Sequence, residues 1–317
     1  MRKVLGFFMT AVLTIVSLSG CQLEEQGEQN KEYRVAAILP ENNKIRATDF
    51  WKQVWSGVHD GAEIFNIALS EYSSDESNNI QERFEMAVAA QGDGILLFTS
   101  DTGNQNLLDG IEDARKTGRK IVVVDTDIGT SYYDAFIGID NESAGSKLAA
   151  YLYTHYQSGE KILALNVNAS GAVDKRKESF FDFLEEKELE NSAVLVSLKE
   201  GNEERLQGIQ EAIEENEKVK WIVSFDPSCT IQAAETLLRM ELSSEISLIG
   251  FGESDSAEAY LEDGIIRALL VQDNYNMGLV AVEKMRQLLD GEKLEKKQYY
   301  VDFMLLSADE ISEGKTE

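Results

Sequence analysis

Cysteine and histidine are almost missing from this chain: two of each in 317 residues. Cys21, Cys229, His59 and His155 are too scattered to form a ligand cluster for zinc or another transition metal. His59 lies inside a helical stretch and His155 at a helix end, so neither supplies a base in a loop where a site could form. Without such a base, Cys229 has no activating partner. The strand–turn serine of a hydrolase is also lacking. Gly250-Phe251-Gly252 has neither the third glycine nor the early position of a dinucleotide fingerprint, and nothing matches a Walker loop. The expectation is a protein that is not an enzyme and carries no cofactor or metal. Positive charge is scarce too: 30 Lys and Arg face 57 Asp and Glu, for a net charge of −27. Such a surface repels nucleic acid and anionic headgroups, and argues against both as partners.

The start of the chain has a different character. Arg2 and Lys3 precede an apolar run, Val4 to Val16, that leads into Leu18-Ser19-Gly20-Cys21. A cationic start, a short apolar core and small residues before a break are the layout of an export signal. The run is shorter than the ~20 apolar residues a spanning helix needs. The cysteine after Ser-Gly resembles the lipobox of bacterial lipoproteins. The resemblance implies cleavage before Cys21, acylation there, and attachment to the membrane only through lipid. Residues 1–20 then read as the signal and 21–32, rich in Glu and Gln, as a flexible tether. With Cys21 acylated, Cys229 has no partner for a disulfide, and burial must supply the stability.

From Tyr33 onward, short apolar runs alternate with helix-period stretches. Strands are expected at 34–39, 67–72, 94–98, 120–125, 161–166, 193–198, 221–224, 247–250 and 265–271. Helices are expected at 50–65, 78–90, 107–117, 143–156, 178–187, 203–216, 231–241 and 277–289. Apolar strands without polar alternation, separated by helices, predict parallel sheets covered on both faces. About nine such units fit two doubly wound sheets of four to six strands better than one large sheet. The fold class is α/β.

In open α/β sheets, ligands bind beyond the carboxyl ends of the strands. Here those ends lead into segments rich in carboxylate, amide and hydroxyl groups, such as Thr99-Ser100-Asp101-Thr102, Asp125-Thr126-Asp127 and Gln272-Asp273-Asn274. Groups of this kind suit a neutral ligand rich in hydroxyls, since each hydroxyl both donates and accepts. Most of the same residues also serve as caps for the helices that follow.

Four stretches together resemble the ribose/galactose group of type I periplasmic (solute-) binding proteins. They are Asp49-Phe50-Trp51-x-x-Val54-x-x-Gly57-Val58; Gly94 to Phe98 with Gly118 to Asp125 downstream; Ile137-Gly138-Ile139-Asp140-Asn141-x-x-x-Gly145; and Ile249 to Gly252 followed by Gly264 to Asp273. The resemblance implies two lobes joined by a three-segment hinge. The first would hold 33–140 plus 273–297, the second 141–272 plus 298–317. It implies an acidic ligand residue at Asp125, a ligand amide at Gln272, and aromatic stacking from Phe50 or Trp51, with Trp51 in the cleft and Phe50 nearer the core. Asp101, Asp174 and Arg176 are further candidates: Asp174 matches an acidic position of the galactose-binding members, and Arg176 is the one residue available for the arginine of the pentose-binding members, unless Lys175-Arg176-Lys177 is a solvated helix start. Three departures bear on the ligand. Thr126 stands where ribose-binding members have Arg. Phe225-Asp226 replaces an Asn-Asp step, so Phe225 offers aromatic surface or Asp226 takes over the polar contact. Glu253 stands in for an Asp. These changes point away from ribose or galactose in the usual pose, toward another pentose, a hexose, a disaccharide or a deoxy-sugar.

The function implied is lipid-anchored capture of a sugar outside the cytoplasmic membrane by a monomeric protein, with delivery to an ABC permease. A sensory receptor that presents its ligand to a membrane histidine kinase or chemoreceptor is equally compatible with lobe closure. A sugar-responsive repressor core shares the fold, but an export signal and no helix-turn-helix argue against it.

Overall fold

The apolar runs become the strands of two parallel sheets, because each can be covered by helices on both faces. The computed structural model describes residues 31–40, 48–73, 79–99, 102–167 and 171–309. In chain order the strands are β1 (Tyr33–Ile38), β2 (Ile67–Tyr72), β3 (Gly94–Phe98), β4 (Lys120–Val124), β5 (Ala135–Gly138), β6 (Lys161–Asn166), β7 (Ala193–Ser197), β8 (Val219–Ser224), β9 (Ser247–Phe251), β10 (Ile266–Gln272), β11 (Gln298–Tyr300) and β12 (Phe303–Ser307). The α-helices are α1 (Asp49–Ile64), α2 (Ile80–Ala89), α3 (Gln105–Lys116), α4 (Asn141–His155), α5 (Ala172–Glu186), α6 (Asn202–Glu215), α7 (Pro227–Arg239), α8 (Asp255–Glu262) and α9 (Asn274–Leu289).

The first sheet runs β11-β5-β4-β3-β1-β2, all parallel, and the second β12-β10-β9-β8-β6-β7 with β12 antiparallel at the edge. Each therefore has six strands, at the top of the expected range. Central strands β3 and β5 are buried along their whole length, which is why they carry no polar alternation. The chain passes between sheets three times: between β5 and α4, between β10 and α9, and between β11 and β12. Aspartates close the first two passages. Asp140 accepts from the Ser143 N–H at the start of α4, and Asp273 from the Asn276 N–H at the start of α9.

Several elements differ from the sequence reading. β5, β11, β12 and α8 were not expected. Gln298–Tyr300 pairs with β5 in the first sheet, so the third passage follows Tyr300 rather than Lys297. α5 begins at Ala172, which puts Asp174 and Arg176 in its first turns and not in a preceding loop. α7 begins at Pro227, with Asp226 as its N-cap.

Two helix pairs approach closely enough to demand glycine. On α1 and α9, a Cβ at Gly57 or at Gly278 would collide with the facing Tyr275 or Val54 carbonyl. On α4, a Cβ at Gly145 would collide with the Arg176 carbonyl of α5. The second contact fixes the helix that carries a candidate site residue.

Candidate binding site

Asp125 follows the last residue of β4 and turns out of the sheet with φ 72°, a left-handed conformation that aspartate tolerates better than most residues. Its N–H is anchored to the Ile137 carbonyl at 2.8 Å, and the buried Thr126 hydroxyl donates to its carboxylate at 3.2 Å. Burial pushes the Asp125 carboxyl above the usual range. The Arg176 guanidinium and the Thr126 hydroxyl pull the other way without cancelling it.

Arg176, 5% exposed, reaches in from α5 with its guanidinium carbon 3.5 Å from the centre of the Phe251 ring. Nε donates to the Ala172 carbonyl at 3.2 Å, and no other described residue accepts a hydrogen bond from it. Burial lowers its pKa to about 10, against the favourable pull of the Asp125 and Asp226 carboxylates. Neither carboxylate comes within ion-pair distance. The terminal NH2 groups of the guanidinium thus remain as donors without a protein acceptor.

Gln272 ends β10 and is 8% exposed, and its amide likewise has no hydrogen-bond partner among the described residues. Together the carboxylate, guanidinium and amide offer an acceptor, a donor fork and a group that does both.

The other sequence candidates fall differently. Trp51 is half-buried, edge-on to Phe50 at 4.9 Å and to Phe98 at 5.5 Å; Phe50 is half-buried and packs against the core. Asp174 is tied by its carboxylate to Lys177 at 2.6 Å, and Lys177 also donates to Asn166 at 2.9 Å. Of the two candidates on α5, Arg176 is buried and Asp174 half-buried. Phe225 corrects the sequence reading: at 1% exposure, with its ring 5.3 Å from Phe180, it is core and offers no aromatic surface to a cleft. Asp226 caps α7, accepting from the Cys229 N–H at 3.0 Å, while its charge still acts on Arg176. Glu253 accepts from the Gln53 amide of α1 at 3.4 Å, a contact between the lobes. Asp101 and Cys21 lie outside the described residues, as do the signal and most of the tether.

Sequence reasoning did not single out three residues that the fold brings here. Asn141 is buried at the head of α4, its Oδ1 without a partner. With Asp127, Phe136, Lys175 and Tyr300 it lines a cavity of about 140 Å³ beside the first passage. Lys175 of the second lobe lies 3.9 Å from Asp127 of the first. Gln53 follows Lys52 on a helix that also carries Asp49, Ser56, His59, Asp60 and Glu63, so nothing in the sequence sets it apart.

Two doubly wound lobes joined by three connecting segments, with Asp125 of the first close enough to Arg176 of the second for their charges to interact, have the build of a two-lobed binding protein. The family described as Periplasmic binding protein domain matches residues 42–293, and the chain belongs to that family. It is 18% identical over 311 residues to the ribose import binding protein RbsB of Bacillus subtilis (strain 168), covering 93% of this chain and 96% of RbsB. Among solved structures, GanP, a glucose-galactose binding protein from Geobacillus stearothermophilus, is similar with a TM-score of 0.76 at 20% identity, over 89% of this chain and 99% of GanP. A carbohydrate transporter solute binding protein from Agrobacterium radiobacter, in complex with D-arabinose, gives a TM-score of 0.76 at 20% identity over 90% and 97% of the two chains.

Proposed function

We propose that this protein captures an uncharged sugar between its lobes outside the cytoplasmic membrane, held there by lipid on Cys21, and delivers it to an ABC permease. It acts as a monomer, and no bond is made or broken. The observation that carries this reading is the trio Asp125, Arg176 and Gln272. Asp125 and Arg176 lie close enough for each charge to act on the other, and Gln272 stands at the tip of a strand of the opposite sheet. Neither the terminal NH2 groups of Arg176 nor the Gln272 amide has a partner among the described residues, so that sugar hydroxyls held between the lobes satisfy all three. The names of the relatives, a ribose importer, a glucose-galactose binder and a D-arabinose complex, support a monosaccharide-sized ligand. The half-buried ring of Trp51 supplies a surface on which the C–H face of a pyranose stacks. Closure on the sugar creates a surface that the permease distinguishes from the empty form.

A thermal-shift screen across D-ribose, D-arabinose, D-galactose, D-glucose, D-fucose and common disaccharides tests the reading. A ligand held only by the folded state at 100 times its Kd adds ~2.7 kcal/mol of stability. That corresponds to a rise in Tm of roughly 4–5 °C for a chain of this size. One sugar or a small set should give such a rise. A flat response across neutral sugars, with a rise from amino acids or sugar acids, would contradict the proposal.

A further inference from the structure

The contact between Gln53 and Glu253 has an orientation that the surrounding groups dictate. Asn274, 2% exposed, stands two residues past Gln272 on the passage between lobes, and its Nδ2 donates to Gln53 Oε1 at 2.9 Å. Gln53 Oε1 is thereby the acceptor end of its amide, and Nε2 is left to donate. It faces Glu253, whose carboxylate only accepts, at 3.4 Å. Both ends of the amide agree, so the direction Asn274→Gln53→Glu253 follows from chemistry. One turn earlier on the same face of α1, the Asp49 carboxylate accepts from Lys52 at 2.9 Å and meets the backbone N–H of Asp255. Helix α1 thus touches the loop after β9 and the first residue of α8 from two positions four residues apart.

We infer that Gln53 is a positioning residue for ligand capture: it joins the passage that carries Gln272 to the opposite lobe and sets how readily the lobes close. The inference rests on the reading of the cleft as a clamp for a ligand. Asn274 anchors Gln53, and the Glu253 loop is what Gln53 grips on closing. Gln53 itself need touch no sugar. Its effect lies in the equilibrium between open and closed protein, which multiplies every affinity measured at the cleft.

The test uses sugar-free protein with spin labels on cysteines at Met86 in the first lobe and Leu238 in the second, both exposed. Cys21 is blocked by its lipid, or replaced as Cys21→Ser in lipid-free protein, and the native Cys229 is buried and stays unlabelled. Distance distributions in wild type should contain a closed population. Gln53→Glu, which sets a carboxylate against Glu253, should lower that population about fivefold or more. The double variant Gln53→Glu/Glu253→Gln restores an amide–carboxylate pair with the roles exchanged, and should recover the closed population to within about twofold. A merely structural role would not produce that recovery. If Gln53→Glu fails to fold, Gln53→Ala with an unchanged Tm serves, with a loss of about fivefold expected. An unchanged closed population in the single variants, a double variant no better than Gln53→Glu, or a wild type with no closed population would each overturn the inference. Because no sugar is present, the outcome is independent of the sugar screen, and either can fail alone.

Discussion

Replacing Asp125 by asparagine is expected to weaken sugar binding at least about 100-fold while the empty protein melts no lower than the wild type. The binding loss follows from chemistry at one position. A buried carboxylate that accepts from two sugar hydroxyls makes charge-assisted hydrogen bonds of ~1.5–3 kcal/mol each. Asparagine accepts through one oxygen only and turns a donor toward the second hydroxyl. Stability shifts in the opposite direction. Burial raises the Asp125 pKa in the folded protein, so ionisation costs folding free energy. A group whose folded pKa is raised binds more protons folded than unfolded, and stability falls as pH climbs from its ordinary value through the raised one. Asparagine removes that loss, keeps the bond from Thr126, and tolerates the positive φ at this position. Calorimetric titration with the sugar from the screen, beside melting curves between pH 4 and 8, reads both effects. Normal binding by Asp125→Asn would remove Asp125 from the site. A lower Tm for the empty variant at neutral pH would contradict the electrostatic account.

Gly145→Ala is expected to be severe, although it adds a single methyl group on a helix. The new Cβ would meet the backbone carbonyl, carbon and Cα of Arg176, none of which can swing aside as a side chain could. Overpacking of this kind costs ~1–3 kcal/mol or more, because α4 and α5 must separate. For a chain of this length that is a fall in Tm of roughly 2–5 °C. Any separation moves Arg176 off the Phe251 ring and away from Asp125, so binding should fall at least about 10-fold beyond what the lost stability explains. A contrasting glycine provides the control. Gly110 lies inside α3, and a Cβ there meets only the Phe84 ring at 3.5 Å, an ordinary contact. Gly110→Ala should stabilise by ~0.5–1 kcal/mol through helix propensity and leave binding alone. Equal, small effects of the two substitutions would show that the α4–α5 contact does not hold Arg176 in place.

The two-sheet architecture was legible because its strands are continuous apolar runs, a pattern that exposed or antiparallel sheets do not produce. What escaped was short or decided by pairing. Ala135–Gly138 has four residues, too few for a periodic signal, and it is a strand because it lies between β4 and β11. Gln298–Tyr300 is polar and aromatic, and only its register against Phe136 to Gly138 assigns it to the first sheet. The site was readable where the backbone decides it: Asp125 and Gln272 stand at strand tips whatever their side chains do. Arg176 was ambiguous because Lys175-Arg176-Lys177 looks solvated as a triplet. Successive helix positions lie about 100° apart, so one of the three points inward once α5 starts at Ala172. Phe225 misled because an aromatic residue at a strand tip reads as a stacking surface, and nothing in sequence reveals that Phe180 covers it. Gln53 and Asn141 depend on which segments meet across the two lobes, and that is not a local property of the sequence.

A crystal structure with the sugar that gives the largest thermal shift tests the central claim most directly. The account predicts one sugar between the lobes, with its hydroxyls within 3.2 Å of the Asp125 carboxylate, the Arg176 guanidinium and the Gln272 amide. A sugar bound elsewhere on the protein, or seated between the lobes with those three groups still making no contact to it, would contradict it.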